Sequence, residues 1–194
     1  LPRRRIWLDA FVIGRHPVTN REYLQFLNDL LLGGREAEAL LACPWREMGF
    51  VESGEKHPIF GRDASGLFVL PPASEEPVWQ GDVPIVQIDW HAASACADWF
   101  ARKTGQPFRL PNELEREKAA RGADGRAFPW GNLADATFAC VLEGQRDVPR
   151  REPVGRHLTD ESPYGVSGLA GNVRDWCINA WKLQGPAVAQ ARAV

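Results

Sequence analysis

Apolar residues return at helical spacing in two stretches of the chain. Tyr23, Phe26, Leu27, Leu30 and Leu31 fall at i, i+3, i+4, i+7 and i+8 and so line one face of an α-helix. Thr19 and Glu22 just ahead of them form a capping box, the hydroxyl serving an exposed N–H while the carboxylate reaches back, and Gly33-Gly34 ends the pattern. The second stretch starts at a cap, Asp89, turns Trp90, Ala93, Cys96, Ala97 and Phe100 inward, and stops at Thr104-Gly105 with Pro107 beyond. A third, shorter helix is predicted after Pro111, with Asn112 and Glu115 as a second capping box and Arg121-Gly122 as its end. It is mostly charged, and Leu114 with Ala119 or Ala120 pins it down.

Elsewhere the periodicity fails. Between these first two helices the chain is rich in Gly, Pro, Asp and Glu, a long loop from Gly33 to Pro84, with only short strand-like runs such as 67–70 and 83–88. Loops of that length usually carry function or decorate a surface. After Gly122, Pro, Gly and Trp interrupt every few residues and no helix returns. The pattern predicts an α+β fold with two to three helices, few short strands and long irregular loops.

Composition narrows the function classes. The chain has 194 residues, enough for a single domain over 1–194, and is 44% hydrophobic and 25% charged, as in ordinary globular proteins. A net charge of −2 provides no field to draw it onto nucleic acid or an anionic membrane, so no nucleic-acid partner is expected. Apolar runs such as Leu30-Leu31-Leu32 stop far short of the roughly 20 residues that span a bilayer, so no membrane span is expected either. The composition makes a folded cytoplasmic domain the expectation, and a start at Leu1 with no leader pattern reads as a piece of a longer protein. Cys43, Cys96, Cys140 and Cys177 lie far apart and are expected to be reduced. His16, His57, His91 and His157 are equally scattered, with no pair spaced to share a helix face, so a metal site built from His and Cys is not expected.

The wording of four ordered blocks adds a resemblance. They are Phe11-x-Ile13-Gly14-x-x-Pro17-Val18-Thr19-Asn20-x-x-Tyr23-x-x-Phe26-Leu27, then Pro84-x-x-x-Ile88-Asp89-Trp90-x-x-Ala93-x-x-Cys96-x-x-Trp99. Arg109-Leu110-Pro111-x-Glu113-x-Glu115-x-Glu117-x-Ala119-Ala120-Arg121-Gly122 follows, with Phe128-Pro129-Trp130-Gly131-Asn132 close behind. The last is Tyr164-Gly165-Val166-x-Gly168-Leu169-Ala170-Gly171-Asn172-Val173-x-Asp175-Trp176. Together they resemble the formylglycine-generating enzymes, also called sulfatase-modifying factors. The resemblance implies a C-type lectin-like fold in which indoles such as Trp90, Trp99, Trp130 and Trp176 supply core area that sparse helices cannot.

The resemblance also implies chemistry. Family enzymes oxidise with a copper-binding cysteine pair downstream of a Gly-Gly-Ser block, expected after Val194. No catalytic residue is therefore assigned here, and copper is implied only if those C-terminal cysteines exist. A family calcium site maps onto Gly168, Gly171, Val173 and Asp175, with main-chain carbonyls and one carboxylate as hard oxygen ligands. Gly168 stands where that signature has Asn or Asp, and Asp175 is one methylene shorter than the usual Glu. The wording around Asp160 to Cys177 looks like copies of the domain attached to bacterial serine/threonine kinases, with Arg174 where the enzymes more often have Trp. Candidate ligand-contacting side chains are Asn172, Arg174 and Trp181, Arg174 offering a forked donor for carboxylate or peptide oxygens. The function read from this is a non-catalytic module that binds a protein or small-molecule ligand and is covalently linked to an effector domain, kinase-like or a retroelement variable protein. The competing reading is a copper-dependent oxidase that converts a sulfatase cysteine to formylglycine. A partner domain of an iron-dependent sulfoxide synthase would need a helical domain with a His cluster.

Overall fold

Helix α1 (Asn20–Leu32) begins where the capping box places it. The Thr19 amide donates to Glu22 Oε2 at 2.8 Å and the Glu22 amide donates to Thr19 Oγ1 at 3.3 Å, so two donors at the helix start are satisfied reciprocally. The computed structural model describes residues 6–47, 56–145 and 150–180. Among them, α1 is followed by α2 (Glu36–Ala42), β1 (Trp45–Glu47), β2 (Lys56–Pro58), β3 (Gly61–Arg62), β4 (Phe68–Val69), α3 (Trp90–Thr104) and α4 (Glu113–Arg121). The strands form two antiparallel pairs, β1 with β2 (Trp45 opposite Pro58) and β3 with β4 (Gly61 opposite Val69). The result is an α+β fold with four helices and few short strands among the described residues, and no described helix is long and apolar enough to cross a membrane.

α3 starts at Asp89, whose carboxylate accepts from the Ala92 amide at 2.7 Å, and ends at Gly105 in the left-handed region (φ 68°). α4 repeats the capping box with Asn112 and Glu115. The buried face of α1 packs against α2, β4 and α3 in one apolar cluster that includes Tyr23, Phe26, Leu27, Phe60, Phe68, Trp79 and Trp99. Burying a side chain of this size contributes about 1.5–3 kcal/mol. Aromatic pairs order the cluster, with Phe26 5.9 Å from Trp99 and Phe60 edge-on to Trp79 at 5.9 Å between ring centres. Polar atoms ride on its edge: Trp99 Nε1 and Lys103 Nζ both donate to Asp29 at 3.0 Å.

Several expectations need correction. α2 lies inside the stretch read as loop; it has only seven residues and no side-chain cap, so neither periodicity nor capping announces it. Residues 83–88 form no strand: Pro84 makes one isolated bridge to Thr19, and Gln87 sits at φ 56°, a value no strand tolerates. On α3 the deepest side chains are Ala92, Ala93, Cys96 and Trp99, while Trp90, Ala97 and Phe100 are half-buried. Trp176 is not core: it is 48% exposed and its indole N–H donates to the Ile88 carbonyl at 3.1 Å.

Candidate functional site

Beyond α4 the chain runs in turns, and main-chain strain and polar side chains fix their positions. Gly168 (φ 77°) donates its N–H to the Asp160 carbonyl. Gly171 lies so close to Cys140 that a Cβ there would meet the Cys140 carbonyl oxygen at 2.4 Å, which leaves glycine as the residue that fits. Asn172 then takes φ 69° and donates its amide N–H to the Cys140 carbonyl at 2.7 Å. Its side chain grips the backbone of Glu152 at both ends, accepting from the Glu152 amide at 3.0 Å and donating to the Glu152 carbonyl at 2.8 Å. Asp160, 2% exposed, accepts from the Ala170 amide at 3.3 Å, and burial pushes its carboxyl above the ordinary range.

These turns are strapped to the start of α4. Arg116 Nε donates to Asp175 Oδ2 at 2.6 Å while its Nη2 donates to the Leu169 carbonyl at 3.1 Å. Asn179 accepts from the Glu113 amide at 2.9 Å and donates to its carboxylate at 3.0 Å, and the Ile178 amide donates to the Pro111 carbonyl. Arg109 grips Glu115 with two bonds of 2.7 and 2.8 Å and thereby holds its carboxyl below the usual carboxylate range.

The structure distributes the sequence-derived residues unevenly. Gly168, Gly171, Val173 and Asp175 share one turn, yet the Asp175 carboxylate and the Leu169 carbonyl already hold the Arg116 guanidinium, the charge that a calcium ion would supply. The Asp175 carboxylate does not fit calcium while Arg116 holds it. Asn172 is a clamp between three turns rather than an outward-facing contact. Arg174 is exposed, and two carboxylates near it in the motif are engaged elsewhere, Asp175 by Arg116 and Glu161 by Arg15. Trp181 lies outside the described residues.

The four cysteines are free thiols, three of them buried. Burial pushes Cys43 up to about 11 and Cys96 up to about 12, and raises Cys140 and Cys177 as well. Sequence reasoning missed two features. One is an open groove of about 750 Å³ between residues 10–15, α4 and the 164–166 turn. The other joins Cys140, Glu152 and His157, whose ligand atoms all lie within 4.8 Å of one another. No spacing rule would have found it, since the three residues sit on different turns.

A family profile described as the sulfatase-modifying factor enzyme 1-like domain matches residues 1–192. The chain belongs to the sulfatase-modifying factor family. Its α+β architecture is the fold type the resemblance implied. The chain is 31% identical over 183 residues to a hercynine oxygenase from Mycolicibacterium smegmatis, covering 90% of this chain and 38% of that relative. It is 25% identical to a formylglycine-generating enzyme from Thermomonospora curvata, with 93% and 63% covered. It is also 25% identical to an inactive C-alpha-formylglycine-generating enzyme 2 from Bos taurus, with 93% and 64% covered. This sulfatase-modifying factor domain thus spans between about a third and two thirds of the length of the curated relatives it matches.

Proposed function

We propose that the chain is a recognition domain of the sulfatase-modifying factor family, binding a peptide segment of a protein ligand on behalf of a covalently linked effector domain. The observation that carries this reading is the open groove. Phe11, Val12 and Ile13 line it in a segment outside any helix or strand, together with Tyr164, Val166 and Lys118. Val12 is fully exposed and Tyr164 is 55% exposed, so the groove offers apolar surface to solvent. Residues 7–14 make no main-chain hydrogen bond to another described residue. An extended peptide laid along these residues would place alternate side chains against the groove. The exposed Arg174 fork is a further contact for a carboxylate.

The similarity to formylglycine-generating enzymes favours a second reading, a copper-dependent oxidase acting on a sulfatase cysteine. The two separate in one experiment on the full chain. A displayed peptide library is selected against it, and a sulfatase-derived cysteine peptide is incubated with it and cuprous ion under air. Enriched peptides whose affinity drops at least about tenfold with Val12→Asp support recognition, since a carboxylate would then lie in an apolar groove. Formylglycine in the sulfatase peptide, read by mass spectrometry, overturns the non-catalytic assignment.

A further inference from the structure

The Cys140, Glu152 and His157 cluster lies apart from the groove, and neither reading of the function uses it. His157 Nε2 and Glu152 Oε2 are 2.6 Å apart, and the Cys140 thiol completes a triangle with no side longer than 4.8 Å. Cys140 is buried at 8% exposure; Glu152 and His157 are half-buried. Sulfur, imidazole nitrogen and carboxylate oxygen converging on one point form a mixed donor set of intermediate softness.

We propose that Cys140, Glu152 and His157 form a binding site for one zinc-class divalent cation, which braces the irregular half of the domain.

Three arguments carry it. The first is preorganisation. Each ligand is fixed by bonds that do not depend on a metal: Cys140 through its carbonyl to the Asn172 amide, Glu152 through both ends of its backbone to the Asn172 side chain. The bend between Glu152 and His157 is tied down by the Val154 amide donating to the Asp82 carbonyl at 2.9 Å. Asn172 is therefore the positioning residue for two of the three ligands.

The second is size and softness. Zinc takes sulfur at about 2.3 Å and nitrogen or oxygen at about 2.0–2.2 Å in a tetrahedron, so its ligand atoms stand roughly 3.3–3.7 Å from one another. The present triangle has one side below that range, at 2.6 Å, and none longer than 4.8 Å. A cation replacing the hydrogen bond between His157 and Glu152 would open the short side while drawing the sulfur in. Calcium and magnesium take oxygen ligands, and thiolate with imidazole selects against them. The Arg150 carbonyl, which accepts from the Cys140 thiol at 3.3 Å and from Gln145 Nε2 at 2.8 Å, is a further oxygen beside the sulfur.

The third separates a metal site from a nucleophile. A Cys, His and Glu trio also suits thiol catalysis, but here the thiol is buried, and both burial and the Glu152 charge push its pKa up. His157 spends its Nε2 on Glu152. A small cation reaches such a site and stabilises the thiolate on arrival, displacing the Cys140 proton to solvent.

The test uses the full chain, stripped with chelator and titrated with cobalt(II) as a spectroscopic stand-in for zinc. The expected result is a tetrahedral visible spectrum with a near-ultraviolet thiolate-to-cobalt band, lost on adding one equivalent of zinc. Cys140→Ser should abolish the charge-transfer band, whereas Cys177→Ser should keep it. His157→Gln and Glu152→Gln should each weaken zinc at least about tenfold, the loss seen even for residues standing behind a ligand. Should Cys140→Ser fail to fold, half-buried His157→Gln decides: full zinc affinity in that variant overturns the proposal. So does absence of the charge-transfer band in the folded parent, its persistence in folded Cys140→Ser, or its loss in Cys177→Ser.

Discussion

Between Asn20 and Trp99 the chain buries Tyr23, Phe26, Leu27, Phe60, Phe68 and Trp99 in one apolar cluster. Among the described residues between Gly122 and Ala180 the largest fully enclosed side chain is that of Asp160, and the other buried side chains are small or modest, Ser162 and Ser167 with Ala139, Cys140 and Val166. The first region gains its stability from area removed from water, which tolerates small shifts of any one contact. The second relies on hydrogen bonds with fixed geometry, such as the Asn172 grip on Glu152 and the Arg116 fork on Asp175 and Leu169. Each of those bonds is directional, and a group left unpartnered costs more than the bond itself contributed. The irregular half should therefore be brittle at a few named positions and indifferent elsewhere, whereas the helical half should lose stability in proportion to volume removed.

The largest effect belongs to the helical half. Phe26→Ala empties space between Tyr23 and Trp99, whose rings lie 5.3 and 5.9 Å from the Phe26 ring. The expected loss is about 3–5 kcal/mol, read from denaturant melts. A loss below that of an ordinary surface substitution would mean that the cluster is not the principal core.

Asn172 tests the polar half. Asn172→Ala removes both side-chain bonds to Glu152 and leaves a side chain other than Asn or Gly at φ 69°. A loss of about 2–3 kcal/mol is expected. Asn172→Gly loses the same bonds but relaxes the backbone, so it should be less damaging than Asn172→Ala. Equal losses would show that the side-chain grip alone matters and that the left-handed conformation carries no strain.

The same contrast explains what the sequence made legible. Caps and stops are local: Thr19 with Glu22, Asp89 with Ala92, Asn112 with Glu115 and Gly105 each act within a turn, so α1, α3 and α4 could be read from spacing alone. α2 escaped because it is short and uncapped, and 83–88 misled because apolar alternation conceals that Pro84 lacks a donor and Gln87 lies outside strand space. In the polar half the partners are remote: Asn172 reaches back to Glu152 and Cys140, and Arg116 forward to Asp175. Periodicity carries no trace of such pairs. Trp176 shows the limit from the other side, because a motif indole can satisfy its N–H on Ile88 and still remain exposed.

Glu115 lies where the two kinds of region meet, on a helix but held by polar contacts. Arg109 depresses its carboxyl, with burial opposing, and the Asn112 amide adds a bond at 2.8 Å. Glu115→Gln keeps the shape and removes the charge, with an expected cost of about 1.5–2 kcal/mol at neutral pH. Because the folded value is lowered, this contribution is fully present above the unfolded carboxyl's pKa of about 4.3 and is lost as pH falls through the folded value. The stability gap between parent and Glu115→Gln should thus close on acidification. A gap independent of pH between 3 and 7, a window of roughly that span around the ordinary carboxylate value, would assign the effect to shape rather than charge.

The smallest expected effect is the response of the parent to calcium. Arg116 already donates to Asp175 at 2.6 Å and to the Leu169 carbonyl at 3.1 Å, so the turn from Gly168 to Asp175 carries its own cation, tethered to α4. An ion seeking the carbonyls of Gly168, Gly171 and Val173 with the Asp175 carboxylate must first displace that guanidinium, which offsets the stabilisation that binding adds by mass action. Neither calcium nor chelator should move the parent's melting temperature. Arg116→Met changes the balance: Asp175 is then a half-buried carboxylate without a partner, the variant melts lower, and calcium should restore part of the loss. Asp175→Asn on that background should abolish the restoration, because the only formal charge in the shell is gone. A parent that melts higher in calcium would show instead that the ion is the native cation of this turn and that Arg116 merely stands in its place.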